Sequence, residues 1–446
     1  MVCAAEGATL AALGAAESRP LPRRFVVAAT IGNALEFYDF ITYAFFAIQI
    51  GHAFFPSKTG YGSLMLSLAT FGAGFVTRPL GAIVIGTYAD RVGRRPAMML
   101  SFTMMGAAIV VLALIPPYAR IGIAAPILAI LARMVQGFSL GGEVGPTTAY
   151  LLEAAPPKGR TLAVAWQAAS QNFASALGGF VGFGLSSVMA PAALDAYGWR
   201  VAFLLGAATL PFGLWVRRGL PETLHRPQPT AKTSAARPAM ALIRDHRRII
   251  VLGLAAMSAA TIGNYVFNYM VTYAQTTLHM TPGLSFLASA LGNAAGVASA
   301  IYGGWLADRI GRRPLLVWPN LAYLVLVLPL YFWIIATRSA LALIVGTTVL
   351  GFLTGLNGGA FFATITEALP QRIRGRVFAV VYAVSIAFFG GTTQLVVTWL
   401  IHSTGNPMSP AWYLFAATIV GQFALMRLIE RTPVKRPSPA LAKPIQ

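Results

Sequence analysis

The chain has 446 residues, of which 57% are hydrophobic and only 10% charged, with a mean hydropathy of +0.68. Soluble chains carry about 25% charged residues, so this composition excludes a soluble domain. A net charge of +20 raises nucleic acid as a partner, but the positions of the basic residues, given below, argue against it. Cys3 is the only cysteine, which excludes an intrachain disulfide.

Positions 1–18 are Ala-rich and hold no Lys or Arg, so they lack the charged start of a secretory signal. Residues 1–24 are expected to be a disordered tail. Apolar runs of about 20 residues then recur to the end of the chain, each long enough for a hydrocarbon core of about 30 Å. They do not alternate polar and apolar as barrel strands do. Backbone groups in lipid must bond within their own segment, so the runs are helices. Helices are predicted near 25–50, 62–88, 96–117, 124–153, 161–189 and 199–217, then 249–275, 283–307, 314–336, 340–369, 376–402 and 411–429. The expected fold is all-α: an integral membrane protein with twelve transmembrane helices in two six-helix bundles, 25–217 and 248–430. Residues 218–247 are basic and rich in proline, and read as a solvated linker. Residues 431–446 form a second tail.

The two bundles are related by a repeat. Gly86-Thr-Tyr-Ala-Asp90-Arg91-Val-Gly93-Arg94-Arg95-Pro96 returns half a chain later as Gly304-Trp-Leu-Ala-Asp308-Arg309-Ile-Gly311-Arg312-Arg313-Pro314. Glu153-Ala-Ala-Pro156 likewise returns as Glu367-Ala-Leu-Pro370, each before a basic loop. Parallel halves with a site between them at mid-depth are a transporter plan. Lys58, Arg120, Arg200 and Arg338 lie on one side of the membrane, and Arg78 and Arg133 lie inside helices. Every other Lys and Arg falls in the tails, the linker or the loops of the opposite side. This is the positive-inside bias. It places both termini in the cytoplasm and accounts for the charge without nucleic acid. Gly137, Gly141 and Gly145 share a helix face, as do Gly178 with Gly182 and Gly292 with Gly296, a spacing that lets helices approach closely.

Glu36, Asp39 and Glu143 are acids within the predicted spans, and Arg78 and Arg133 are bases there. Such residues usually face a cavity or a partner. At 1.5 Å per residue, Glu36, Arg78 and Glu143 lie ~15–18 Å from the inner surface, with Asp39 and Arg133 further out. Two readings stand. Glu36 or Glu143 neutralises Arg78, because Arg keeps its charge. Alternatively Glu36, Asp39 or Glu143 carries a coupling proton, while Arg78 or Arg133 holds an anionic substrate by bidentate bonds. Gln136, Gln167, Gln171, Asn264, Tyr265, Asn268, Asn357 and Gln394 either line the same cavity or join helices. The histidines fall at helix ends or in loops and receive no proton role. No metal spacing, phosphate-binding loop or nucleophile–base constellation is present, so neither an enzyme nor a cofactor is expected.

The duplicated Gly-x-x-x-Asp-Arg-x-Gly-Arg-Arg loop resembles the signature of the major facilitator superfamily, as do Arg133-Met-Val-Gln136-Gly137 and Leu220-Pro221-Glu222-Thr223. Gly32-Asn33-Ala-Leu35-Glu36-Phe-Tyr38-Asp39-Phe40 is similar to helix 1 of its metabolite–proton symporter family. Arg78-Pro79-Leu80-Gly81 and Gln136-Gly137-Phe-Ser-Leu-Gly141-Gly142-Glu143 agree with that family, and Trp166-Gln167-Ala-Ala-Ser170-Gln171 resembles its citrate and tricarballylate branch. The resemblance implies proton-coupled import of an organic acid by alternating access, citrate or tricarballylate first. Other family substrates are 2-oxoglutarate, shikimate, betaine and proline. It also implies a gate at Asp90 on the inside face, whose candidate members are Arg91, Arg94, Glu153 and the second-half residues Asp308, Arg309, Arg312 and Glu367. An exporter of the same fold and a membrane sensor that binds without transport remain alternatives. The expected partners are an organic acid, protons and lipid, for a monomer in a bacterial inner membrane.

Overall fold

The computed structural model describes residues 23–141, 159–211, 213–214, 247–368 and 374–431. Residues 1–22 and 432–446 of the two tails and nearly all of the linker predicted at 218–247 lie outside the described residues, as do Glu143, Gly145 and Glu153 and the side chains of Glu36, Asp90 and Arg94, while 23–24 and 431, predicted as tail, are helical.

Helix α1 spans Arg23–Phe45 and resumes as Ala47–Phe54. Helix α2 spans Gly60–Val76 and Arg78–Val92. It starts at Thr59, whose Oγ1 accepts from the Gly62 amide at 3.2 Å, the usual work of a Thr cap. Helix α3 is Arg94–Leu114, α4 Ala124–Leu140, α5 Arg160–Val188 and α6 Trp199–Ala208. In the second half α7 is Arg247–Thr276, α8 Pro282–Ile310, α9 Arg312–Thr337 and α10 Ala340–Ala368. Helix α11 runs through Arg374–Ser385, a π-type turn at Ile386–Gly390, and Gly391–Thr404. Helix α12 is Ser409–Arg431.

Among the described residues, eight helical stretches are long and apolar enough to cross a membrane, and they fall in α2, α3 and α7–α12. Helix α4 is a shorter apolar helix that reaches the edge of the described residues, as α6 nearly does. Helices α1 and α5 are diluted by Asn33, Asp39, Gln167, Gln171 and Asn172. The chain is an integral membrane protein of twelve helices, six in each half.

Both copies of the repeated loop turn on a glycine with positive φ, +129° at Gly93 and +92° at Gly311. Side chains rarely adopt that region, so the glycine of the motif is a backbone requirement. The halves meet along α5 with α8 and α10, along α2 with α11, and along α1 with α7.

The helices approach through the glycines that the spacing singled out. A Cβ on Gly137 would lie 1.5 Å from the Gly74 carbonyl oxygen, and one on Gly141 would lie 2.0 Å from that of Arg78. These contacts set α4 backbone-to-backbone against α2. Gly182 faces Phe286, and Gly296 faces Asn172, across the α5–α8 seam.

Gly137→Ala is therefore expected to lower the detergent melting temperature through an overpacking cost of about 1–3 kcal/mol. Gly263→Ala, where nothing lies within 4 Å of the added carbon, serves as the neutral comparison. Equal melting temperatures for the two variants would contradict the close α2–α4 crossing.

Candidate functional site

The site is built from α1, α2, α4, α5 and α7. Arg133 of α4 is fully buried and Arg78 of α2 is 5% exposed. Among the described residues neither has a carboxylate within ion-pair distance. Aromatic faces surround them instead. The Arg78 Cζ lies 4.6 Å from the Phe40 ring centroid and 4.5 Å from that of Phe75. The Arg133 Cζ lies 4.7 Å from Phe40, 4.5 Å from Tyr43 and 5.2 Å from Phe71. Phe40 thus serves both cations, and each such contact is worth about 0.5–2 kcal/mol. Arg133 Nη1 donates to Gln136 Oε1 at 2.6 Å. Among the described residues, its Nε and Nη2, and the Nε of Arg78, have no hydrogen-bond partner.

Asp39 is 3% exposed, lies in the field of Arg133, and among the described residues finds no donor for Oδ1. It faces α6, where a Cβ on Gly206 would fall 2.1 Å from Oδ1. Glycine at 206 therefore makes the room that the carboxylate occupies.

A narrow cleft lies between the halves, lined by Phe37 and Ile41 of α1, Gln171, Asn172 and Ser175 of α5, and Asn264, Tyr265 and Asn268 of α7, with an enclosed volume of only about 10 Å3. Small-molecule sites usually offer ~300–1,000 Å3, so this conformation is closed around the site and the halves must part to admit a ligand. Among the described residues Gln171 Nε2 and Asn268 Oδ1 lack partners, while Asn268 Nδ2 donates to Asn264 Oδ1 at 2.8 Å. The Tyr265 ring stands edge-on to Phe75 at 5.4 Å between centroids. It forms the partition between the neutral cleft and the two arginines.

The remaining predicted polar residues divide. Gln136 joins the arginine cage. Gln394 Nε2 reaches the Tyr265 carbonyl at 3.5 Å. Gln167 is buried where Asn33 of α1 donates to its carbonyl and to Ser170 Oγ. Asn357 stands apart from the cleft lining: its Nδ2 donates to Asn320 Oδ1 at 2.5 Å, and Asn320 donates to Gln422 of α12 at 2.9 Å. The aromatic cage itself was not anticipated from the sequence. Its trace there is the spacing of Phe40 with Tyr43 and of Phe71 with Phe75, neighbours on one helix face.

At the end carrying the repeated basic loops, the halves are latched. Helix α5 has no side-chain cap of its own. Asp308 of α8 supplies one from the other half, with Oδ1 accepting from the Thr161 amide at 3.1 Å and Oδ2 from Leu162 at 2.9 Å. First-turn amides have no helical partner and attract an anion. Arg312 donates to Glu367 at 2.6 and 3.3 Å and to Thr161 Oγ1 at 2.9 Å. Arg160 stands 3.7 Å from the same Glu367. Arg309 is exposed and lies 4.0 Å over Trp305, and Arg91 is exposed. Asp90, Arg94 and Glu153 of the first copy lie outside the described side chains.

At the far end the Tyr61 and His402 rings stack across the halves at 3.8 Å. There His52 Nδ1 also meets Asp195 Oδ1 at 3.0 Å.

A family model described as Major Facilitator Superfamily matches residues 29–392. The chain belongs to the major facilitator superfamily. It is 36% identical over 417 residues to a citrate-proton symporter of Salmonella typhi, covering 91% of this chain and 94% of that protein. It is 34% identical over 412 residues to a citrate-proton symporter of Klebsiella pneumoniae, covering 92% of each. A putative proline/betaine transporter of Staphylococcus aureus (strain COL) is 30% identical over 420 residues, 90% of this chain and 86% of that protein. Among solved structures, a D-xylose-proton symporter matches with a TM-score of 0.71 at 16% identity, covering 91% of this chain and 96% of that one. A partially occluded inward-open form of the E. coli xylose transporter matches at 0.73 and 16% identity, covering 93% and 99%. At that identity the likeness is one of fold.

Two outcomes are expected. In Asp308→Ala, amide hydrogen exchange at Thr161 and Leu162 should speed up by about tenfold or more, since both lose their acceptor. Unchanged protection would show that the latch does not hold the α5 terminus. The bond to Asp195 raises the pKa of His52. The charged pair therefore contributes fully below the ordinary value of about 6.5 and is lost as pH rises through the raised one. In Asp195→Asn, the His52 ring resonances should titrate lower, toward about 6.5. An unmoved midpoint would remove Asp195 as the cause.

Proposed function

We propose that this chain imports a citrate-like carboxylate together with protons, by alternating access around the cleft and the arginine pair behind it. The observation that carries this reading is the pair of buried guanidiniums with N–H groups unpartnered among the described residues and no described carboxylate of their own. A buried unpaired cation is strongly unfavourable, and a carboxylate substrate offsets it with charge-assisted bonds. Relatives at 36% and 34% identity named citrate-proton symporters support the same substrate class.

In the loaded state Tyr265 swings aside, and the carboxylates pass from the neutral cleft to Arg78 and Arg133. Gln171, Asn264 and Asn268 hold the hydroxyl and the remaining oxygens. Glu36, Asp39 and Glu143 are the proton-coupling candidates, and Asp39 is the one whose burial beside Arg133 supports the role. A proton on Asp39 removes a buried charge, and with it the cost of enclosing the loaded site. The Asp308, Arg312 and Glu367 latch closes the basic end, with Asp90, Arg94 and Glu153 proposed as its counterpart. That end faces the cytoplasm, with both termini, by the positive-inside bias. The protein works as a monomer in the bacterial inner membrane, with residues 25–217 and 248–430 as its bundles and 218–247 as the link.

The test uses purified protein in proteoliposomes. Arg133→Lys should raise the apparent citrate constant by about tenfold or more, because the guanidinium fork is lost while the charge stays. An unchanged constant would move the anion site elsewhere. Asp39→Asn and Glu36→Gln should each be assayed for uphill uptake and for counterflow exchange. Loss of the first with survival of the second marks the coupling residue, and intact pH-driven accumulation in both would sink this assignment. A thermal shift with betaine or proline and none with citrate would replace the substrate reading.

A further inference from the structure

Helix α2 turns a stripe of hydroxyls inward at Ser63, Ser67 and Thr70, which share one face at i, i+4 and i+7. They are 4%, 0% and 3% exposed. Serine and threonine inside a helix ordinarily bond back to a carbonyl of the preceding turn. Thr70 does so, donating to the Leu66 carbonyl at 2.9 Å. Ser63 Oγ and Ser67 Oγ do not, and among the described residues neither makes a hydrogen bond of good geometry, Ser67 lying beside the Tyr43 hydroxyl. Two buried hydroxyls one helical turn apart that do not bond back to their own helix are a setting in which buried water is found.

The stripe connects two regions. Above it, residues 56–60 are exposed, less than one turn from Ser63. Below it, Ser67 and Thr70 lie beside the Tyr43 hydroxyl, which donates to the Ser67 carbonyl at 3.2 Å. Arg133 sits over the Tyr43 ring at 4.5 Å, with Nε and Nη2 unpartnered among the described residues. Asp39 precedes Tyr43 by one turn of α1, lies in the field of Arg133, and among the described residues finds no donor for Oδ1. Every link therefore offers an unfilled polar atom or an adjacent hydroxyl. None of these residues lines the cleft between the halves.

We propose that α1, α2 and α4 enclose a file of bound water running from the outer surface past Ser63, Ser67 and Tyr43 to Arg133 and Asp39, and that protons enter by this file rather than through the substrate cleft. Neighbouring hydroxyls one turn apart stand about 5–6 Å from each other at Cβ, a gap that one water spans. Hydroxyls and water both donate and accept, so a proton hops along the file without any side chain being consumed. Arg133 keeps its proton and is not a relay. It donates to the last water, which donates in turn to Asp39 Oδ1 and delivers the proton there. The coupling half of this proposal rests on the proton-symport reading above; the water file itself does not.

The experiment has two readouts on the full-length protein in proteoliposomes. The first is radiolytic hydroxyl-radical labelling, which marks side chains touching bound water. Tyr43 should label at least about fivefold faster than Tyr269. Tyr269 is equally buried, at 1%, and its hydroxyl likewise has a protein partner, accepting from Thr398 at 2.8 Å, so burial and bonding are matched and the file is the difference. In the double variant Ser63→Ala/Ser67→Ala the file becomes apolar, and Tyr43 labelling should drop to the Tyr269 level. The second readout is transport: that variant should lose about tenfold in proton-driven net uptake while counterflow stays within about twofold, and Ser63→Thr/Ser67→Thr should keep both. Equal labelling of Tyr43 and Tyr269 in the wild type overturns the file. Wild-type net uptake in the double alanine variant overturns its role in proton entry. Should the wild-type protein show no proton-driven uptake, the symport reading fails, and the labelling alone decides the file. Should the double alanine variant lose both modes, an altered fold is the cause, and wild-type labelling again decides.

Discussion

Two guanidinium groups that cannot shed their charge lie where water has been excluded. That constraint organises the first half of the molecule. Moving an ion into a protein interior costs several kcal/mol even after relaxation. The structure answers with ring faces: Phe40 shared by both cations, Phe75 for Arg78, and Tyr43 with Phe71 for Arg133. It supplies one neutral acceptor, Gln136. Together these lower the cost without filling the fork of donors. Close helix packing follows from the same need. A Cβ on Gly74 would lie 2.9 Å from the Arg133 carbonyl oxygen, so α2 and α4 touch at the residue whose side chain must be enclosed. Small residues at helix contacts permit that approach.

Helix α5 ties the enclosed charges to the ends of the molecule. Its first turn is capped by Asp308 of the other half. Gln171, Asn172 and Ser175 line the cleft, and Gly182 meets Phe286 nearer the far end. These points lie on one unbroken helix, so a tilt that opens the cap also displaces the cleft wall. Opening at the basic end strips two amides and Thr161 Oγ1 of their partners and separates Arg160 from Glu367. Each is a modest loss singly, about 0.5–1.5 kcal/mol for a neutral bond and more for a charged one. Water solvates each of them once parted, which limits the cost of opening.

The architecture was legible because its signals are long or repeated. Apolar runs fixed the helices, and the doubled loop fixed the relation between the halves. Positive φ at both Gly93 and Gly311 shows why glycine stands in each copy. The site was legible only in part. Counting residues along helices placed Arg133 further out than Arg78, yet both cations reach Phe40, because long side chains converge across a gap that axial position cannot measure. Helical period also leaves rotation undetermined when lipid and core are both apolar. Nothing in the spacing says that Phe40 faces the arginines while Phe37 faces the cleft, or that Asn357 turns toward Asn320. The weak hydropathy of α1 and α5 was itself a signal, since polar residues there mark two of the three helices that line the cleft; α7, the third, is too apolar overall to show it.

Charge balance narrows what the proposed site can hold. Two fixed positive charges complement two carboxylates; a third carboxylate would be enclosed unpaired, or would need a proton. The site therefore favours an acid carrying two negative charges, either a dicarboxylate or a tricarboxylate with one proton of its own. Voltage sharpens the argument. Moving one net positive charge inward across 100 mV releases about 2.3 kcal/mol, enough for roughly forty-fold accumulation. A dianion needs three protons to carry one such charge, and a trianion needs four. The tricarboxylate that brings its first proton already bound requires the same total as the bare trianion, but asks the protein to supply one fewer. With a single buried carboxylate described beside the arginines, that difference favours a protonated substrate over a longer relay of acidic side chains.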